Sequence, residues 1–139
     1  MGNSWNTGTA FSANTSATAA FTIPAGVNVG DLMHLGFTVF CEVNTAPAIA
    51  FSGGDGGWIL PAPLHDGSNP EQQFNGTILY TYGYYYYRVA TAGDPGATIT
   101  LTETGSSGVT TWWAGVMGAY PGAAGTQPDV AGSKGVNNA

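Results

Sequence analysis

Glycine and proline recur so densely that few stretches of eleven residues in this chain lack both; there are 22 glycines and 8 prolines. An interior glycine costs a helix about 1 kcal/mol relative to alanine and a proline about 3 kcal/mol. The strong helix formers Lys, Glu, Arg and Leu are also scarce. What survives between the breaks is a set of short runs rich in Thr, Val, Ile, Phe, Tyr and Trp, bounded by Gly, Pro, Asn and Asp. The chain therefore reads as all-β. Its 139 residues suit one domain, long enough to bury roughly two thirds of the surface its unfolded form exposes. No internal repeat is visible, which argues against a solenoid or propeller. The expected architecture is a two-sheet antiparallel β-sandwich, jelly-roll-like or Ig-like, with about seven or eight strands.

Alternation within the runs assigns faces. In SATAAFTIP, Ser16 to Pro24, the residues Ala17, Ala19, Phe21 and Ile23 share one side, opposite Thr18 and Thr22, and the run reads as the first strand. In LMHLGFTVFCEV, Leu32 to Val43, the core side carries Met33, Leu35, Phe37, Val39 and Cys41. AIAF at Ala48 to Phe51 and WILP at Trp58 to Pro61 are short strands flanking the loop SGGDGG, and APLHDGSNPEQQFNG is a long polar connection. The strand LYTYGYYYYRVA follows, then the turn AGDPG, then ATITLTET, and finally VTTWWAGVMGAY. Residues 1–123 form the expected sandwich, and 124–139 a Pro/Gly-rich tail or linker.

Charged residues make up only 7% of the chain, and eight acids against Arg88 and Lys134 leave a net charge of −6. That balance repels phosphate backbones and anionic lipid, so nucleic acid is not an expected partner. No segment approaches the ~18 consecutive apolar residues of a spanning helix, and the start lacks a basic region followed by an apolar run, so neither membrane insertion nor a signal peptide is expected. Cys41 is the one cysteine and reads as a buried small hydrophobe.

Little in the sequence points to catalysis. His34 falls in a strand and His65 in a loop, with no His or Cys at ligand spacing, so zinc is not expected. Asp55, Asp66 and Glu71 could offer oxygens to calcium, but a solvated glycine loop is the plainer reading. Asp31 and Asp94 sit in turns, where aspartate caps backbone N–H groups, and Glu42 and Glu103 fall near strand ends. No G-x-S-x-G segment or triad context is present. The expectation is a non-enzymatic protein with no cofactor and no metal.

Four segments, TAAFTIPAGVNVGDL, GGW, YYYYRVATAGDPGATITLTETG and WAGVMGAYPGA, occur in that order. Together, over roughly Ala17 to Ala123, they resemble a β-sandwich domain of tail-associated and virion-surface structural proteins of bacteriophages of actinobacteria. The resemblance implies a structural or adhesive role, in tail adhesion or head decoration, for a protein made in the host cytoplasm and placed on the virion. It implies contact with other virion subunits or with the host, a cell-surface glycan among the candidates, and repeated copies on a particle make a homo-oligomer natural, with three copies as the expectation. It carries no catalytic residues. The chain departs from the pattern in its dense run Tyr84 to Tyr87.

Six tyrosines in eight positions, Tyr80 to Tyr87, pose the sharpest functional question. With a period of two, Tyr80, Tyr82, Tyr84 and Tyr86 share a face with Arg88, while Leu79, Thr81, Gly83, Tyr85, Tyr87 and Val89 share the other. The face holding Leu79 and Val89 is expected to be the core. The even row then lies outward as a strip of rings about 6.5–7 Å apart, which monomeric proteins seldom leave uncovered. Subunit or capsid contact, glycan contact, or cover by a loop or a register-shifting bulge would each account for it. Of the neighbours Trp112 and Trp113, one must be core and the other surface. The expected contact residues are Tyr80, Tyr82, Tyr84, Tyr86, Arg88 and Trp112, with a carbohydrate-binding module as the rival to a virion contact domain.

Overall fold

A computed structural model of the chain describes residues 7–43, 45–60, 71–74, 77–104 and 111–121. Among them are eight strands and no helix: β1 (Thr7–Ala13), β2 (Thr18–Thr22), β3 (Leu32–Cys41), β4 (Ala48–Ser52), β5 (Glu71–Phe74), β6 (Thr77–Val89), β7 (Thr98–Thr104) and β8 (Trp112–Tyr120). They form two antiparallel sheets, one in the order β1-β8-β3-β6-β5 and one in the order β2-β7-β4. This is the two-sheet sandwich that the punctuation and alternation predict.

The order distinguishes the two expected variants. β1 pairs with β8, β2 with β7 and β3 with β6, as though one long hairpin had been folded back on itself. Rolling that hairpin brings β3 against β8 and β4 against β7. Such wrapping is the jelly-roll arrangement, in which connections pass between the sheets. β5 departs from it by joining the edge of the larger sheet beside β6.

Three elements differ from the sequence reading. A strand, β1, precedes Ser16, and apart from Phe11 its side chains are small, which hides the alternation. The segment read as a strand from Trp58 makes only an isolated bridge, Ile59 to Tyr87, with backbone hydrogen bonds of 2.9 and 3.0 Å. β5 lies within what reads as a polar connection. The tail 124–139, Trp5, His65, Asp66 and Lys134 lie outside the described residues.

The core lies between the sheets and is aromatic. Ala19, Phe21 and Ile23 of the β2 region, and Met33, Leu35, Phe37, Val39 and Cys41 of β3, are buried on the faces that alternation assigns them. Burial pushes the Cys41 thiol up from its ordinary pKa, which keeps it protonated and unreactive. Phe37 is the hub, stacked on Tyr84 at 5.0 Å and on Tyr86 at 6.0 Å, with Trp113 at 5.9 Å and Phe11 at 6.3 Å. Phe51 of the opposite sheet meets Tyr86 edge-on at 4.8 Å. Gly115 makes room for this group, because a Cβ there would lie 2.5 Å from the Phe11 ring and 2.6 Å from Phe37.

The tyrosine faces are therefore the reverse of the expectation. Tyr82, Tyr84 and Tyr86 point inward and are buried, as is Arg88. The partner strand decides this. Opposed residues on antiparallel neighbours share a face, and the register sets Val39 against Tyr82, Phe37 against Tyr84, Leu35 against Tyr86 and Met33 against Arg88. The even row must follow the core face of β3. The Tyr82 hydroxyl donates to the Val43 carbonyl at 2.8 Å and that of Tyr84 to Pro47 at 2.5 Å, which anchors the β3–β4 connection.

Truncating Tyr84 to alanine should cost roughly 3–5 kcal/mol in denaturant unfolding, and Tyr85→Ala clearly less, since only the former empties the core. The buried phenols also set an alkaline limit. Desolvation pushes Tyr82 up to about 12 and raises Tyr84 further. An acid whose folded pKa is raised contributes stability that is complete below its unfolded value, about 10, and is lost as the pH rises above it. Stability should therefore fall from about pH 10 upward, with part of the tyrosinate absorbance appearing only as the chain unfolds.

Candidate functional site

Inversion of the tyrosine strand leaves another set of residues outside. The outward face of the larger sheet carries Trp112, Ala114, Val116, Gly118 and Tyr120 from β8. From β3 come His34, Gly36, Thr38 and Phe40, and from β6 Thr81, Gly83 and Tyr85, in the cross-strand rows that the register dictates. None of these is Asp, Glu, Lys or Arg. Val116, near the middle, is 50% exposed.

Two aromatic groups stand at the ends of this face. At one end Phe40 and Trp112 are direct cross-strand partners, both half-buried. At the other, His34 lies edge-on to Tyr120 at 5.2 Å and 5.7 Å from Tyr85, with a hydrogen bond between its Nδ1 and the Tyr85 hydroxyl. Burial pulls the His34 imidazole below its ordinary pKa and pushes the Tyr85 phenol up, Tyr120 and Tyr87 adding to the latter. The pair is therefore uncharged at neutral pH. Between the two ends the floor is small: a Cβ added at Gly36 or Gly83 would meet nothing within 4 Å. The distance from Phe40 to His34 along β3 is six residues, about 20 Å. The result is a shallow, uncharged trough between aromatic walls.

Of the expected contact residues, Trp112 is on this face, while its neighbour Trp113 is buried and donates its Nε1–H to the Ser16 carbonyl at 2.8 Å. Tyr80 is half-buried against the core. Tyr82, Tyr84, Tyr86 and Arg88 are inside and cannot form an outward strip. Tyr85 and Tyr87, expected inside, stand on the outward side, Tyr87 largely covered beside the Ile59 bridge.

Arg88 shows how a cation enters this core. Its guanidinium makes an ion pair with Asp94 and a hydrogen bond to the Gly56 carbonyl, and it lies 5.4 Å from the centre of the Trp58 ring. Burial pulls the guanidinium below its ordinary pKa, opposed by the Asp55 carboxylate. Asp94 also caps its turn by accepting the Thr91 N–H at 2.7 Å. Asp55 accepts from the Thr91 hydroxyl at 2.6 Å and the Gly93 N–H at 3.1 Å, and these bonds hold its carboxyl below the usual range. The SGGDGG loop is thereby fastened to the AGDPG turn. Asp31 caps likewise, accepting the Asn28 N–H at 2.9 Å. Glu103, which the sequence places near a strand end, is buried. Among the described residues, no three of His, Cys, Asp and Glu gather as a metal site.

Comparison with protein-family models, with curated proteins and with solved structures finds no match to this chain.

Asp94→Ala should destabilise the fold by about 3–5 kcal/mol, because it strands a buried guanidinium. Adding Arg88→Met should recover much of that loss, since the charge then goes with its partner. Urea unfolding of the single and double variants measures both steps.

Proposed function

We propose that this chain is a non-enzymatic contact domain of a bacteriophage virion, serving in tail adhesion or head decoration, and that it makes its contact through the trough on the outward face of the larger sheet. The observation that carries the reading is the character of that face. It is uncharged in a chain of net charge −6 and holds half-exposed Trp112, Phe40 and Tyr85 around an open glycine floor. Aromatic residues are enriched and charges depleted at the centres of protein interfaces. The jelly roll also recurs in viral capsid and lectin domains, an analogy of fold that adds weight without assigning a role. The ordered segments that resemble virion-surface domains run through both sheets, and that resemblance is what supports a virion reading.

Glycan binding is the second reading, favoured by the Phe40–Trp112 pair. Two neighbouring rings beside an open floor suit the apolar side of a sugar, with Thr38 and Thr81 in reach for hydroxyls.

Gly83→Arg puts a long charged side chain onto the open floor while leaving the core untouched. It should abolish particle incorporation or host-cell binding with a melting temperature close to that of the parent protein. Imaging of assembled particles carrying the parent or the variant decides the virion reading, and a glycan array run with both decides the second. If neither incorporation, cell binding nor glycan binding differs between the two proteins, the trough is not the contact surface.

A further inference from the structure

The larger sheet has a second unusual feature at its margin. β1 pairs with β8 over seven consecutive residues without a bulge, Thr7 opposite Ala119 through Ala13 opposite Trp113. No described strand pairs with its other side. Exposed edges are ordinarily blunted by charge, proline, a bulge or shortness, because their free N–H and C=O groups template further pairing. The sequence TGTAFSA has none of the first three, and at 7 residues it is longer than the other margin strands β2, β4 and β5, of 5, 5 and 4 residues.

We propose that β1 is the edge through which two copies of this chain pair antiparallel, about a two-fold axis at Ala10. Three observations select a second copy as the occupant. The first is register. Antiparallel pairing centred on Ala10 sets Thr9 against Phe11, Gly8 against Ser12 and Thr7 against Ala13, so half-buried positions meet half-buried and exposed meet exposed. The strand is its own complement, as an isologous interface requires. The second is space. A groove of about 310 Å³ runs beside this edge, lined by Thr9, Phe11, Ala20, Phe21 and Thr22 among others. An added strand would direct its inward side chains over that groove, and in this register the residue opposite Thr9 is the partner copy's Phe11. Phe11 already stacks on Phe21 at 5.2 Å, so a second phenylalanine would find an aromatic lining.

The third is charge. The first charged residue in the chain is Asp31, so β1, β2 and the turn between them carry none, and β8 has none either. Two copies, each of net charge −6, repel one another least where neither presents a charge. Of the competing edges, β5 contains Glu71 and β4 lies beside the loop that carries Asp55, while β2 is equally uncharged but offers only 5 residues against the 7 of β1. Pairing at β1 would join two larger sheets into one and place their troughs on the same side. It yields a closed pair instead of the trimer expected from sequence, and it does not depend on what the trough contacts.

Ala10 is exposed on the outward side and would meet its own counterpart at the axis, which makes it the point of test. Sedimentation velocity over a wide concentration range should show a dimer for the parent chain. Ala10→Lys and Ala10→Asp should each weaken it by up to about fivefold, because like charges directly opposite destabilise a strand pair. Mixing the two variants should restore a heterodimer. Facing residues in an antiparallel pair have Cα atoms about 4.5–5.5 Å apart, within disulfide range. Ala10→Cys should therefore cross-link to a dimer under mild oxidation, while the exposed control Asn28→Cys should not. A parent chain that stays monomeric, a trimer, or a dimer indifferent to both charges at Ala10 would overturn the proposal. So would failure of Ala10→Cys to cross-link faster than the control.

Discussion

The register between β3 and β6 governs the rest of this molecule. Once Phe37 stands opposite Tyr84, three tyrosines, a phenylalanine and an arginine lie on the inner face of the larger sheet, and the remaining structure accommodates them. Gly115 is bare because Phe11 and Phe37 occupy the space its Cβ would need. The β3–β4 connection is tied down where the hydroxyls of Tyr82 and Tyr84 emerge. Burying large rings yields strong apolar stabilisation, and each phenol needs one acceptor that a loop carbonyl can supply.

The same register forces a cation inward, and the chain resolves that cost locally. Arg88 arrives at the end of the core, where the AGDPG turn supplies a carboxylate, the SGGDGG loop a carbonyl and Trp58 a ring face. The carboxylate comes from one segment, and the carbonyl and the ring face from another, two residues apart. The pair therefore specifies how the two loops sit against the end of the sandwich, while its net energetic value is small, since desolvation offsets most of the attraction. Asp55, exposed and bound to Thr91 and Gly93, completes the fastening from outside.

With the inner face filled in this way, the outer face receives what is left: small residues on the strands' middles and aromatic residues towards their ends. This division gives the chain an uncharged trough and an unblunted margin on one sheet, while much of its acidity lies in turns and loops. A surface of this kind is suited to flat, extended contact more than to enclosing a small molecule. The proposed roles of trough and margin are consequences of one packing arrangement.

The sequence by itself determined the fold class, because glycine and proline at short intervals leave no room for helices, and it determined the core faces of β2 and β3, because Phe21, Ile23, Leu35, Phe37 and Val39 alternate with smaller or polar residues. Turn capping by Asp31 and Asp94 was equally legible, as was the division of Trp112 from Trp113. The tyrosine strand was different. Alternation divides it into two sets but is silent on which set goes inside, and here both sets are rich in tyrosine, a residue at home on either side. Leu79 and Val89 marked one set as apolar and Arg88 marked the other as polar, and both marks misled. Only tertiary structure decided the matter: pairing with β3 carries the even residues onto an already determined core face, and loops distant in sequence supply the carboxylate and carbonyl that let Arg88 be buried. The outward position of His34 and Phe40 followed from the reading of β3, but their meeting with Tyr85, Tyr120 and Trp112 required strands brought together from separate parts of the chain.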